Sequence, residues 1–170
     1  MQPLYTLVAV DVRRAEQAGS SRATTISKLT IPPIKFATAN HNPGGGVMSV
    51  DFALPRIEAP EPAMEIKGFD GDIFRGLGDV DRWVFAAAVK EKKSGLVVPA
   101  RAIIEGAITE WTPDEASPED FLGCTHAFKE VTHYEFHLNG EELWYIDFWE
   151  RVLRTGGTDQ FADVRRALGA

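Results

Sequence analysis

A single cysteine, Cys124, occurs in 170 residues, so an internal disulfide and any cysteine-rich metal cluster are excluded. No apolar run reaches the roughly 18 residues that a membrane-crossing helix needs, so stable membrane insertion is not expected. The first residues show no basic stretch leading into an apolar core of the secretory kind, and maturation in a cytoplasm is the expectation. Positive charge is scarce as well. Eighteen Lys and Arg against 25 Asp and Glu give a formal net charge of −7, which argues against a protein that grips nucleic acid through a basic footprint. The same charge does not forbid a protein that surrounds nucleic acid without gripping it.

Signatures of catalysis are equally thin. His133 and His137 share a strand face, where they would stand about 13 Å apart, too far to hold one zinc ion together. Read as a helical pair they lack the rest of a metalloprotease motif. Cys124 precedes His126 by two residues, but no third group is in evidence to orient a nucleophile–base pair. Gly44-Gly45-Gly46 is not followed by Lys-Ser or Lys-Thr and so is no phosphate loop. The acidic stretch from Glu105 to Asp120 lacks the oxygen-ligand spacing of a calcium loop. No catalytic, cofactor-binding or metal-binding residue is expected, and an enzyme built on His126 or His133 with nearby carboxylates is the weakest reading.

The composition, 44% hydrophobic and 25% charged, suits a globule, and the length suffices for a single domain over 1–170 with a real core. Met1 to Val12 is strand-capable; Asp11 to Ser21 is polar and reads as a loop or exposed arm. Thr24 to Leu29 forms a short strand that Pro32-Pro33 stops. A long loop spans about 35–60, with a flexible or sharply turned connection at Asn42-Pro43-Gly44-Gly45-Gly46 and strand character from Met48 to Leu54. Ala63 to Phe69 reads as a strand. Asp79 to Val89 reads as a helix capped by Asp79, with Val80, Val84, Ala87 and Ala88 as its apolar stripe and Lys90, Lys92 and Lys93 at its C-terminal end. Leu96 to Trp111 is a strand, and Glu110 to Asp120 a solvated acidic loop.

The last third carries the densest pattern. Phe121 to Leu138 has strand character, and Asn139-Gly140 fits a two-residue type I′ turn, whose central positions both need positive φ. That turn predicts Leu138 opposite Glu141, Phe136 opposite Leu143 and Tyr134 opposite Tyr145, with Trp144, Ile146 and Phe148 on the other face. After Gly156-Gly157, Thr158 or Asp159 caps a short helix with Phe161, Val164 and Leu168 on one stripe, and Gly169 ends it. Both faces of the hairpin are bulky. One small domain struggles to cover both, which suggests packing against further copies.

The whole chain resembles the major tail tube protein of contractile-tailed bacteriophages, the P2-like tail tube family. The resemblance rests on Ile66-Lys67-Gly68-Phe69, the strand before Asn139-Gly140, Gly140-Glu141-Glu142-Leu143, Ile146-Asp147, Gly156-Gly157 and Arg165-Arg166-Ala167-Leu168-Gly169, in that order. It implies a mainly β (α+β) fold, an antiparallel barrel or sandwich with a flanking helix and a short C-terminal helix. It implies self-association into hexameric rings stacked as a tube that conducts a genome, with sheath protein, baseplate and tail terminator as partners. DNA would pass without sequence-specific binding, and no cofactor is implied. The implied location is the virion tail, assembled in the host bacterial cytoplasm. A tailocin or other contractile injection device is the alternative setting, and a monomeric β-rich adaptor the alternative class. Tyr134, Phe136, Asn139, Gly140, Leu143, Trp144, Tyr145 and Phe148 are the expected hairpin and core residues. The arm at about 11–21 and the loop, above all Asn42 to Gly46, are the expected assembly elements.

Overall fold

In the computed structural model, which describes residues 2–16 and 20–169, eleven strands and two short helices follow one another. They are β1 (Tyr5–Arg14), β2 (Ile26–Thr30), β3 (Phe36–His41), β4 (Val50–Ile57), β5 (Ala63–Lys67), α1 (Gly71–Arg75), β6 (Val80–Glu91), β7 (Val97–Pro113), β8 (Gly123–Leu138), β9 (Glu141–Asp147), β10 (Val152–Thr155), β11 (Thr158–Asp159) and α2 (Ala162–Ala167). All their pairings are antiparallel. The fold is therefore mainly β, with one helix on its flank and one near its C-terminus. No helix among the described residues is long and apolar enough to cross a membrane.

The main sheet runs β1-β6-β7-β8-β9-β10-β11. β8 is long enough to serve two neighbours on one side: its start pairs with β5 and its end with β9. Through β5 the sheet continues to β2, which comes back beside β1. The sheet thus curls, and alternate side chains fill its inside, as the period of two requires. Val12, Ile66, Phe85, Ile104, Phe128 and Tyr134, one or more from each of β1, β5, β6, β7 and β8, are core residues. Arg22 helps to tie β2's approach to β1, its backbone N–H donating to the Asp11 carboxylate at 2.8 Å.

The segment Asp79 to Val89 is a strand, not the helix its stripe suggested. Val80, Val84 and Ala88 recur every four residues, a spacing that strand and helix share in parity. What decides is Trp83 and Phe85, both buried, with Val84 half-buried between them and Arg82 exposed just before. Pairing with β1 on one side and β7 on the other overrides the helical preference of Ala86 to Ala88. Lys90 falls within β6, and Lys92 and Lys93 follow in the β6–β7 turn, instead of at a helix end. The flanking helix lies earlier: Asp70 caps α1, its carboxylate accepting from Asp72 N at 2.9 Å and Ile73 N at 3.3 Å.

Two loop expectations are also corrected. Asp11 to Arg14 belongs to β1, with Val12 fully buried. The charged residues conceal the strand because they are paired: Arg13 with Asp11 at 3.1 Å, Arg14 with Asp81 at 3.1 Å. Residues 17–19 of the expected arm lie outside the described residues. The expected long loop contains a β3–β4 hairpin, with Asn42 to Gly46 in its tip.

In the β8–β9 hairpin, Asn139 and Gly140 have φ of +51° and +82°, as the type I′ turn requires. Leu138 opposes Glu141, but the next pairs are His137–Glu142 and Phe136–Trp144. Leu143 is an extra residue, a β-bulge that moves Trp144 onto the same face as Phe136 and pairs Tyr134 with Ile146. The opposed faces for Phe136 and Trp144 are therefore corrected. The C-terminal helix begins after Phe161, with no side-chain cap; Asp159 instead accepts from Phe161 N at 2.9 Å.

Candidate assembly surfaces

β1 is the outermost strand at one side of the main sheet, so one row of its backbone N–H and C=O groups faces outward. Its first half carries exposed Leu7 and Val8. Such an edge is adhesive unless blocked. The β3–β4 hairpin is a second open element, since β3 and β4 pair only with each other among the described residues. An isolated two-stranded hairpin is marginal in water. This one is anchored at its base, where Phe36 packs edge-on against Trp144 at 6.0 Å and Ile57 touches the core. Beyond the base, Phe52, Leu54, Val47 and Met48 are exposed. The tip residues Asn42, Gly44, Gly45 and Gly46 are exposed and Pro43 is half-buried.

The β8–β9–β10 face opposite the core is a polar lattice. Glu135 Oε1 meets Arg82 at 3.0 Å and His133 Nε2 at 2.6 Å, while its Oε2 meets His137 Nε2 at 2.9 Å. The other ring nitrogen of His133 meets Asp147 Oδ2 at 2.9 Å. Arg154 grips Glu142 with two bonds of 2.6 and 2.7 Å and lies over the Tyr145 ring. Burial would raise the Glu135 carboxyl; the two histidines and Arg82 outweigh it and hold it below the usual carboxylate range. The bond from Arg154 does the same for Glu142. Burial would likewise raise Asp147, but the backbone amide of Glu150 and His133 hold it down.

Among the expected hairpin residues, Tyr134 and Trp144 are buried, and burial pushes the Tyr134 hydroxyl up to about 12. Phe136 is half-buried against the core. Tyr145 sits on the polar lattice, Leu143 in the bulge, and Phe148 beyond β9, exposed and edge-on to Trp149. Phe148 is thus outside the core. The pattern of alternate residues alone could not place Leu143, Trp144, Tyr145 and Phe148, because the bulge changes the parity after Glu142.

Sequence reading missed the group around Trp83. Arg14 and Arg22 lie over its ring at 5.0 and 5.5 Å, and buried Arg22 is ion-paired with Asp70. The signal available was Asp70 before Gly71, a helix cap. A second aromatic group, Phe69, Phe74 and Trp111, stands at α1, with centroid separations of 5.1 to 6.5 Å.

Cys124 Sγ lies 3.5 Å from His126 Nε2. Burial pushes the thiol up and the imidazole down, so the pair favours its neutral form over the thiolate–imidazolium form a nucleophile uses. His126 Nδ1 has no hydrogen-bond partner among the described residues, so nothing there orients the ring. Among the described residues, no three His, Cys, Asp or Glu side chains converge on a possible metal position.

The family described as phage tail tube protein FII matches residues 15–169. No curated protein matches the sequence. Among solved structures the chain is similar to one in the sheath/tube terminator of PVC, an extracellular contractile injection system, in its extended state. The TM-score is 0.56 at 9% identity, covering 81% of this chain and 98% of that one. It is also similar to a chain in the tube-terminating cap of the anti-feeding prophage, with a TM-score of 0.53 at 10% identity over 75% of this chain and 87% of that one. At such identities the likeness is one of fold.

Proposed function

This chain belongs to the phage tail tube protein FII family, a family of structural tube proteins and not of catalysts, and we propose that it is the inner-tube protomer of a contractile injection device. A bacteriophage tail is one setting and a tailocin or related particle the other. Six copies form a ring, rings stack into a conduit, and sheath, baseplate and terminator proteins meet the tube along its outside and at its ends. Assembly takes place in the bacterial cytoplasm, and the product is part of the virion or particle. The observation that carries this reading is the match over nearly the whole chain, joined to an open β1 edge and a largely uncovered β3–β4 hairpin. The two similar structures, chains of a sheath/tube terminator and of a tube-terminating cap, support the same kind of machine. Asn42 to Gly46 serve as assembly contacts in this reading.

The polar lattice suits a wall past which DNA slides. Arg82, Arg154, His133 and His137 already face Glu135, Glu142 and Asp147, so these groups offer phosphates little uncompensated positive charge. Negative-stain microscopy of the concentrated full chain tests the proposal: annular hexamers or tubes are expected. Well-behaved single chains at high concentration would overturn it and leave the monomeric adaptor.

A further inference from the structure

β7 and β8 run side by side and give the molecule two unlike ends. At one end is the β6–β7 turn, with Lys92 and Lys93 in it and Lys90 beside it near the end of β6. The start of β1 is held against it, Lys92 N donating to Leu4 O at 2.8 Å. Leu4, Leu96 and Val97 are exposed there, Leu4 at 71%. At the other end, about 50 Å along β7 at the usual rise, stand α1 and the loop from Asp114 to Leu122. Gly68 N donates to Leu122 O and brings that loop against Phe69. Phe69 is 67% exposed and Phe121 88%. Among the described residues, neither the three lysines nor Glu115, Glu119 and Asp120 form an ion pair within the chain.

We propose that the lysine-bearing end of one copy docks on the acidic, aromatic end of the next copy, forming the axial contact through which rings stack. This rests on the tube reading above. Charge decides the partner. A symmetric contact would set lysines against lysines at one end, or carboxylates against carboxylates at the other, and like charges face to face are costly. Only the head-to-tail arrangement matches opposite signs, and such a heterologous contact, when it does not close, propagates as a filament. The exposed leucines and phenylalanines supply the apolar area, which charge alone would leave in water. A lateral contact along the β1 edge is a different surface, so ring closure and ring stacking are separable.

The test uses the full chain in two variants, Lys92→Glu/Lys93→Glu and Glu119→Lys/Asp120→Lys. Each gives both ends the same sign. Native mass spectrometry reads rings, and negative-stain microscopy reads tube length. Each variant alone is expected to keep rings and a wild-type melting temperature but to shorten tubes at least about tenfold, since like charges then oppose each other at every axial contact. Mixing the two restores tubes that contain both. A third variant, Lys93→Cys/Glu119→Cys, treated with a flexible bis-maleimide, is expected to give a ladder of linked chains. Wild-type tube lengths in both charge variants, a mixture no better than its components, or a missing ladder would overturn the axial contact while leaving wild-type tubes intact. A wild-type protein that makes neither rings nor tubes would overturn the tube reading itself.

Discussion

Phe136 stands directly opposite Trp144, and Leu143 is the extra residue between that pair and His137–Glu142. The bulge turns Trp144 toward the core, where Phe36 meets it edge-on. Trp144 is therefore the joint between the main sheet and the β3–β4 hairpin. Trp144→Ala is expected to cost about 3–5 kcal/mol in urea unfolding and to loosen the hairpin, seen as faster amide exchange in β3. Deleting Leu143 is the sharper experiment. It leaves the existing pairs in place with a regular ladder, so near-UV circular dichroism is expected to be retained; a collapse of the tertiary signal would refute the bulge.

Gly140 sits at φ +82° with nothing within 4 Å of the place a Cβ would occupy. Any penalty for a side chain is therefore backbone strain and not collision. Gly140→Val is expected to cost about 1–2 kcal/mol and to lower the melting temperature by roughly 5 °C in a chain of this size. An unchanged melt would remove the type I′ assignment.

Asp70 joins three elements: it caps α1, pairs with Arg22 and so steadies the guanidinium over Trp83. Burial would raise its carboxyl, but Arg22 and the α1 amides outweigh burial and hold it below the usual range. A depressed folded value contributes stability above the ordinary carboxylate pKa near 4 and loses it as pH falls through the depressed one. Asp70→Asn keeps a competent cap but removes the charge. We expect it to destabilise the protein by about 3 kcal/mol at neutral pH, the lower end for a broken buried pair, because the Asp70 side chain stays 19% exposed. The variant's disadvantage should shrink as pH falls from neutral to below the ordinary carboxylate range; a difference independent of pH would count against the ion pair.

Removing Asn42 to Gly46 and closing the β3–β4 tip with a short turn separates folding from assembly. These residues contribute nothing to the core, so melting is expected to change by less than about 0.5 kcal/mol, as at other exposed positions. Tubes are expected to be lost or shortened. Long tubes with normal melting would remove the tip from the assembly contacts.

The hairpin turn and its flanking strands were legible because Asn139-Gly140 and the alternation from Thr132 to Leu138 are local signals. The bulge at Leu143 was not, because it is settled by where Trp144 finds cover. β6 was misread because Ala86-Ala87-Ala88 favours a helix locally and only the flanking β1 and β7 overrule it. β1 was half hidden, since Asp11, Arg13 and Arg14 look solvated until their partners are known. The two ends of the sheet were present in the sequence as a lysine cluster and an acidic loop. That they face opposite ways follows only from the β6–β7 and β7–β8 registers.

β7 and β8 span 17 and 16 residues. A compressive load entering at the lysine turn therefore reaches the far rim along covalent backbone. The cross-links between these strands lie perpendicular to their length, so a difference in load between them is shared as shear along the whole ladder. The two irregularities, at Glu105/Ala107 and Ile108/Glu110, are the places where such a strut would buckle first.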